Sequence, residues 1–158
     1  LEGKGYAVLK YYFYPWRYFY RHKVRMIDEA IKGMRFKSLI DFGSGPGILA
    51  DNWSKYSDKV LLTDKHDRVQ YADGAVCASV MEFVDLKETF KLLHSKVNFI
   101  VIASPMKTIW SRIYFKLTGD KEIRHSHTDI INSMCRYFSI NYYRSWLGLY
   151  FCVRGYRR

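Results

Sequence analysis

The sequence lacks an apolar run long enough to cross a bilayer, and it contains few cysteines. A membrane-spanning helix needs about twenty predominantly apolar residues in succession, and no run in this 158-residue chain reaches that length. The three cysteines, Cys77, Cys135 and Cys152, are odd in number, far apart and set in apolar runs. We therefore expect reduced, buried thiols in a cytoplasmic protein, with no disulfide and no metal site.

Acidic residues are scarce at both ends of the chain. The net charge is +11; residues 1–37 hold nine Lys/Arg against three acids, and residues 136–158 hold five Arg and no acid. The basic ends should face an anionic partner: a membrane surface, to which the protein would be peripheral, a nucleic acid or an acidic substrate. Residues 11–20 add eight aromatics, which would cover a cofactor or touch a membrane interface. A merely solubilising surface is the alternative.

The most informative motif is a short apolar run that ends in three glycines at alternate positions. Residues 39–47 read Leu-Ile-Asp-Phe-Gly-Ser-Gly-Pro-Gly, which predicts a strand, a tight turn and a helix start. Glycines there let the backbone pass close to a ligand, because no Cβ stands in the way. A second apolar run, residues 60–63, ends in Asp64, where a ribose-binding acid belongs in a nucleotide-type α/β site.

The acid that precedes the first glycine separates two classes of ligand. Asp41 stands two residues before Gly43, and its charge would repel a pyrophosphate. A dinucleotide fingerprint also needs its second and third glycines three residues apart. The carboxylate of Asp41 would instead attract a ligand that has a positively charged amino group and no phosphate. An ordinary strand-to-helix turn, with glycines serving only its geometry, is the alternative.

On these residues the chain resembles the class I S-adenosylmethionine-dependent methyltransferases, as a compact member of the small-molecule type. Their first motif has the acid-and-glycine pattern of residues 41–47, and their second strand ends in an acid, as at Asp64. Later segments of the family are similar to residues 72–84, 97–105 and 119–127. The resemblance implies S-adenosylmethionine as cofactor, no metal, and direct in-line methyl transfer to a small, apolar or lipid-like acceptor.

The order of predicted elements is that of an α/β protein. We predict one domain over residues 1–158, with an N-terminal aromatic and basic helical lid (1–35) and a cofactor-binding core (36–158). The core should be a Rossmann-like, mostly parallel sheet with helices on both faces and an antiparallel C-terminal hairpin. Only eight residues, 65–72, follow the second strand, too few for the strand-helix unit that the family normally places there. The sheet should therefore be trimmed of that unit.

Local signals predict where several helices begin. Pro15 suits the first position of a helix with an apolar stripe, and the glycine loop should lead into a helix over about 46–57. Asp85 can open a capping box, and either Ser126 or Thr128 can cap a later helix.

We assign eight residues to cofactor binding, in line with the resemblance. Asp41 would bind the amino end of the cofactor through the loop, and Asp64 would accept hydrogen bonds from the ribose hydroxyls. The other contacts would come from the backbone of the loop, from a lysine beside the adenine edge and from a serine past the end of a strand: Gly43, Ser44, Gly45, Gly47, Lys65 and Ser79.

The candidates for a general base, which a phenol-like acceptor would need, are less specific. His125 and His127 are two apart in a polar loop, and histidine titrates near neutral pH; they also fit a role as loop or capping residues. Glu82 is a third candidate. Two other functions remain open: an RNA methyltransferase that grips phosphates with its basic ends, and a methyltransferase-fold module that binds without catalysis.

Overall fold

A six-stranded sheet runs through the part of the chain that the computed structural model describes, residues 16–45, 47–64, 68–118 and 123–158. The strands are β1 (Phe36–Phe42), β2 (Ser57–Thr63), β3 (Gly74–Ala78), β4 (Phe99–Pro105), β5 (Phe138–Trp146) and β6 (Tyr150–Arg157). Their order is β2-β1-β3-β4-β6-β5, with β1 to β4 parallel and β6 antiparallel to both neighbours. The predicted parallel sheet with an antiparallel C-terminal hairpin is confirmed.

Helices cover both faces of this sheet, as predicted. Those in the described residues are α1 (Trp16–Ala30), α2 (Ala50–Ser54), α3 (Leu86–Lys96), α4 (Ile109–Thr118) and α5 (His127–Met134). Alternate residues of the strands enter two separate buried clusters, because successive side chains of a strand point to opposite faces. One cluster contains Ile27 of α1 and Trp53 of α2. The other contains Phe90 of α3 and Met134 of α5. None of the described helices is long and apolar enough to span a bilayer.

The sheet is trimmed at the edge where the sequence predicted a missing unit. β1 pairs with β2 on one side and with β3 on the other, so β2 is the edge strand. Between β2 and β3 the described residues, which leave out 65–67, form no further helix or strand. The short spacing in the sequence therefore indicated the extent of the sheet correctly.

The helix after the glycine loop is shorter than predicted. We expected it over about 46–57, whereas α2 covers only Ala50–Ser54. At its N-terminal end the chain forms turns instead, with the N–H of Ala50 donating to the carbonyl of Gly47 at 3.2 Å. At its C-terminal end the cause is the strand that follows: β2 begins at Ser57, and the backbone N–H of Phe36 donates to the carbonyl of Tyr56 at 2.8 Å. Pairing with β1 thus takes residues that the sequence pattern assigned to the helix, because strand contacts override local propensity.

Two predicted helix caps are present. Asp85 Oδ1 accepts a hydrogen bond from the backbone N–H of Glu88 at 3.0 Å, at the start of α3. At α5 the cap is Ser126 rather than Thr128. Ser126 Oγ accepts from the N–H of Asp129 at 3.2 Å, and Asp129 Oδ2 accepts from the N–H of Ser126 at 2.8 Å. This reciprocal capping box satisfies two backbone donors.

The two basic ends of the chain meet in the fold. Helix α1 packs over β4 and β6, and its Glu29 forms an ion pair with Arg144 of β5. Arg154 of β6 donates a hydrogen bond to the carbonyl of Ala30, at the end of α1. The positive charge of α1 and that of residues 136–158, which the sequence places far apart, therefore lie on adjacent elements.

The capping assignment predicts different costs for two neighbouring substitutions. Ser126→Ala removes the side-chain acceptor of the Asp129 N–H and should lower the free energy of unfolding by about 1 kcal/mol. Thr128→Ala changes an exposed residue inside α5 and should change it by no more than about 0.5 kcal/mol. Urea unfolding of both variants measures the difference. A larger cost for Thr128→Ala than for Ser126→Ala would show that the cap is misassigned.

Candidate functional site

The glycine loop lies at the carboxyl edge of the parallel strands, directly beside the end of β2. The backbone N–H of Gly43 donates to the carbonyl of Thr63 at 2.7 Å, and the N–H of Ser44 lies 3.4 Å from the same oxygen. Thr63 is the last residue of β2, and Asp64 follows it with an exposed side chain. The two halves of the sequence motif are therefore neighbours at this edge, where open α/β sheets bind their ligands.

Each described glycine of the loop has a positive φ, and their surroundings differ. The φ angles of Gly43, Gly45 and Gly47 are +76°, +52° and +76°. A Cβ at Gly43 would lie 2.4 Å from Cγ2 of Val80, whereas one at Gly45 would meet nothing within 4 Å. Gly43 is thus required by the packing of the loop on the turn after β3. Gly45 presents its backbone to open space, as a close ligand approach needs. Pro46 lies outside the described residues.

Asp41 is buried beneath the loop with an unused hydrogen-bond acceptor. It is 2% exposed, and its Oδ2 has no hydrogen-bond partner. Burial raises the pKa of Asp41 to about 6, against the opposing effects of the Trp53 indole and the charge on Lys23. The indole N–H of Trp53, itself buried, lies near the carboxyl but outside normal hydrogen-bond geometry. A ligand donor that reached Asp41 would satisfy an atom that the described part of the chain leaves unpaired.

A buried lysine of α1 completes this cluster, and sequence reasoning missed it. Lys23 is 3% exposed, and its Nζ donates to Oγ of Ser79 at 2.9 Å and lies 3.9 Å from the ring centroid of Tyr20. The signal was present in the sequence, because Lys23 stands four residues from both Phe19 and Ile27 on the apolar stripe of the helix. A lysine is rarely buried unless it is paired.

Ser79 lies where the sequence predicted it, directly after β3 at the carboxyl edge. Its φ is +58°, unusual for a residue other than glycine, and its backbone N–H donates to the carbonyl of Ala103 at 2.8 Å. The bond from Lys23 and this backbone bond hold Ser79 between α1 and β4. The structure thus brings Asp41, Ser79 and the glycine loop to one edge.

Glu82 is a second buried carboxyl at this end of the sheet. It is 1% exposed, and its Oε2 accepts a hydrogen bond from Oγ of Ser104 at 2.5 Å. Burial raises the pKa of Glu82 to about 7, although Ser104 and the charge on Lys23 act to lower it. Burial together with Asp41 and Glu82 raises the pKa of the Cys77 thiol far above neutral. Cys77 is therefore no nucleophile, whereas Glu82 can exchange a proton near neutral pH.

The two histidines lie on the segment that leads into α5 and have different surroundings. His125 Nε2 lies 2.9 Å from the carbonyl oxygen of Val84, a contact typical of a residue that anchors a loop. His127 is the first residue of α5, and its Nδ1 is buried without a hydrogen-bond partner. Among the described residues neither ring forms a hydrogen bond to the glycine loop. Their role as general base stays a prediction.

A cavity of about 290 Å³ lies between α1 and the residues that follow the glycine loop. Three arginines of α1, spaced four residues apart, line it: Arg17, Arg21 and Arg25. The acid in its described wall is Asp28, and Lys55 donates to Asp28 Oδ2 at 2.9 Å. The remaining lining residues are Tyr20, Val24, Ile48, Leu49 and Asn52. The cavity therefore has an excess of positive charge beside the loop.

Lys65, predicted beside the adenine edge, and residues 11–15, which are the aromatics 11–14 and the predicted helix-start residue Pro15, lie outside the described residues. Within the described ranges no group of three or more His, Cys, Asp and Glu side chains is arranged to hold a metal ion.

No protein-family model matches the sequence, and no curated protein matches it. Solved structures do match the fold. The N-methyltransferase NodS from Bradyrhizobium japonicum WM9, in complex with S-adenosyl-L-homocysteine, has a TM-score of 0.64 at 7% identity, over 87% of this chain and 86% of that one. Magnesium protoporphyrin IX methyltransferase from Synechocystis PCC 6803, also with bound S-adenosylhomocysteine, has a TM-score of 0.61 at 15% identity. The match covers 90% of this chain and 85% of that one.

A third match is human N-acetylserotonin methyltransferase in complex with S-adenosylmethionine. Its TM-score is 0.64 at 11% identity, over 88% of this chain and 52% of that one. Identities this low show a shared fold and nothing finer. The chain shares its fold with these S-adenosylmethionine-dependent methyltransferases, which confirms the fold implied by the resemblance of its acid-and-glycine motif.

Proposed function

We propose that the protein is an S-adenosylmethionine-dependent methyltransferase that transfers a methyl group directly to a small acceptor. The observation that carries this proposal is the contact between the glycine loop and the end of β2, which puts Asp64 next to Gly43 at the carboxyl edge of a methyltransferase-type sheet. Similar folds solved with S-adenosylhomocysteine or S-adenosylmethionine support the choice of cofactor.

The residues at this edge suit a nucleoside that carries a charged amino acid. The open backbone at Gly45 allows close approach, and the carboxylate of Asp64 offers acceptors for two ribose hydroxyls. An amino acid end carries both an ammonium and a carboxylate. Asp41, with its unpaired oxygen, and Lys23 supply the two opposite charges, and both are buried, so we infer that they act through the loop and Ser79.

In the proposed reaction the protein's task is to position the acceptor and exclude water. The cofactor, when bound, supplies an electrophilic methyl group. In-line attack requires an acceptor lone pair held close to that methyl group, and such positioning can contribute about 7–11 kcal/mol to catalysis. We assign this positioning to α1 and the residues that follow the glycine loop, which line the 290 Å³ cavity. Arg17 and Arg21 in its wall, beside Arg25, which pairs with Glu29, favour a small acceptor with an acidic group, attached to an apolar or lipid-like body.

Three residues are candidates for the general base that takes the proton of the acceptor. Glu82 has a pKa near 7 and a single described partner, Ser104, so it can accept a proton at neutral pH. His127 keeps an unpartnered ring nitrogen. His125 is the weakest candidate, since its Nε2 already contacts the carbonyl of Val84.

A non-catalytic binding module is the second candidate function. The observation in its favour is the trimmed sheet, in which the described residues between β2 and β3 form no further helix or strand beside the cofactor site. Transfer of a labelled methyl group from S-adenosylmethionine to small acidic acceptors separates the two candidates. Binding of cofactor without transfer to any acceptor in such a screen would favour the module.

The ribose assignment predicts a specific loss of affinity. Asp64→Ala should weaken the binding of S-adenosylmethionine at least tenfold, about 1.4 kcal/mol, because two hydroxyl hydrogen bonds lose their acceptor. The matched control is Asp58→Ala, at the other end of β2, where Asp58 is exposed and pairs with Arg35 at 2.5 Å. Calorimetric titration measures both variants. Equal affinities for the wild type and Asp64→Ala would rule out the ribose role.

The elevated pKa of Asp41 predicts a pH dependence of cofactor binding. Below a pKa of about 6 the carboxyl is protonated, so it loses its attraction for the amino group of the ligand. The affinity for S-adenosylhomocysteine should fall about tenfold from pH 7.5 to about pH 5.

Two substitutions separate this effect from the other groups in the cluster. Asp41→Asn should bind weakly and with little pH dependence. Glu82→Gln should keep the fall, although Glu82 and Lys23 both interact with the cluster. Calorimetry at four pH values between 5 and 8 measures these curves. An affinity that is constant, or that rises as the pH falls, would contradict the assignment of Asp41.

A further inference from the structure

Large apolar side chains are exposed together on α4 and on the turn between β5 and β6. In α4 the exposed fractions are 71% for Ile109, 65% for Trp110 and 48% for Ile113; in the turn Leu147 is 72% exposed. Isolated exposed apolar residues are common on protein surfaces, whereas a contiguous group of them marks an interaction site. We call these four residues the α4–turn patch.

Hydrogen bonds hold the two parts of the patch next to each other. Thr108 Oγ1, directly before α4, donates to the carbonyl of Gly148 at 2.8 Å. The N–H of Met106, directly after β4, donates to the carbonyl of Leu149 at 2.8 Å. The start of α4 is thereby fixed against the turn, at the carboxyl edge of β4.

The N-terminal helix borders the same turn with aromatic side chains. The ring of His22 stacks on Trp146 with centroids 4.3 Å apart, and Tyr18 lies 6.0 Å from Trp146. Tyr18 is itself 52% exposed. Aromatic rings of this kind are favoured where a protein meets the headgroup region of a bilayer.

Among the described residues, the segments that form the patch and its borders carry charge of one sign; the segment after α4, which contains Asp120 and Glu122, lies outside the described residues. Residues 16–27, 105–118 and 136–158, which build it and its borders, contain no Asp or Glu. Arg112 and Lys116 are exposed on α4 itself. Acids reach these segments from outside: Glu29 pairs with Arg25 and Arg144, and Asp129 interacts with Lys107. Neither acid contacts Arg112 or Lys116 among the interactions of the described residues.

We propose that the α4–turn patch docks on an anionic lipid bilayer. An apolar centre with tryptophan, bordered by Lys and Arg, matches the two layers of such a surface, in which anionic headgroups cover an apolar interior. A nucleic acid would match the cations, but it would leave the aliphatic Ile109, Ile113 and Leu147 without a partner. The complementarity of both charge and polarity therefore favours lipid.

Docking on this patch does not depend on the proposed methyl transfer, but a docked bilayer would affect which acceptors reach the site. The patch lies at the carboxyl edge of β4, the same edge of the sheet that holds the glycine loop. A bilayer bound there would face the acceptor side of the site. This consequence, unlike the docking itself, rests on the proposed function, and it favours an acceptor drawn from the membrane.

The test measures co-sedimentation of the whole chain with vesicles of phosphatidylcholine alone and with added phosphatidylserine, without cofactor. The wild type should bind the anionic vesicles, and binding should fall as salt rises. Trp110→Ser combined with Ile113→Ser should weaken it at least tenfold. Arg112→Glu combined with Lys116→Glu should abolish the preference for phosphatidylserine.

Matched controls lie on α3, outside the patch. Leu92→Ser changes a side chain that is 39% exposed, and Lys87→Glu with Lys91→Glu makes the same charge change on an exposed surface. Both should bind vesicles like the wild type. Because every substituted side chain is exposed, the thermal unfolding midpoints should stay close together, and binding of S-adenosylhomocysteine in the same variants reports on the methyltransferase proposal separately.

Three outcomes would overturn the proposal. The first is a wild type that does not bind anionic vesicles at low salt. The second is unchanged binding by Trp110→Ser with Ile113→Ser. The third is a concentration-dependent dimer that this double variant dissociates, since a second copy of the chain would then cover the patch.

Discussion

One close contact determines the geometry of the candidate site: the backbone of Gly43 passes against the side chain of Val80, where a Cβ would lie only 2.4 Å from Cγ2. The same residue donates its N–H to Thr63 at the end of β2. Gly43 thus joins the ends of β1, β2 and β3, and the positive φ at this position removes the choice of almost any other residue. The open backbone at Gly45 and the position of Asp64 both depend on this junction.

The charges below the junction form a group that must be considered together. Lys23 from α1, Asp41 from β1 and Glu82 after β3 come from separate elements, and burial raises the pKa of both carboxyls while the lysine opposes that rise. A buried charge is tolerated when opposite charges or hydrogen bonds compensate it. The unpaired Oδ2 of Asp41 is the one place in this group where compensation is incomplete, and it is therefore where a cationic ligand group gains most.

Much of this arrangement could be predicted from the sequence. The features that could not be predicted depend on contacts between residues that are distant in the sequence. The alternating glycines and Asp64 predicted the loop and its neighbour because strand, turn and acid are encoded locally. The short spacing over residues 65–72 predicted the trimmed sheet by simple chain length. By contrast, α2 is shorter than its pattern suggested, since pairing of Phe36 with Tyr56 extends the strands. The burial of Lys23 could be suspected from its place on the apolar stripe, but its partner Ser79 is 56 residues away.

The distribution of charge on the folded protein differs from its distribution along the sequence. Residues more than a hundred positions apart in the sequence meet in the fold: Arg154 bonds to the end of α1, and Arg144 pairs with Glu29 of that helix. Charges within a Debye length of about 10 Å act together on a partner. The fold therefore turns two modest basic segments into one positive flank, and it sets the exposed apolar residues of α4 beside that flank. A role in solubility alone would explain the positive charge, but it gives no reason to expose Trp110 and Leu147 at the same edge. A surface that is both apolar and positive is therefore better explained by a binding partner.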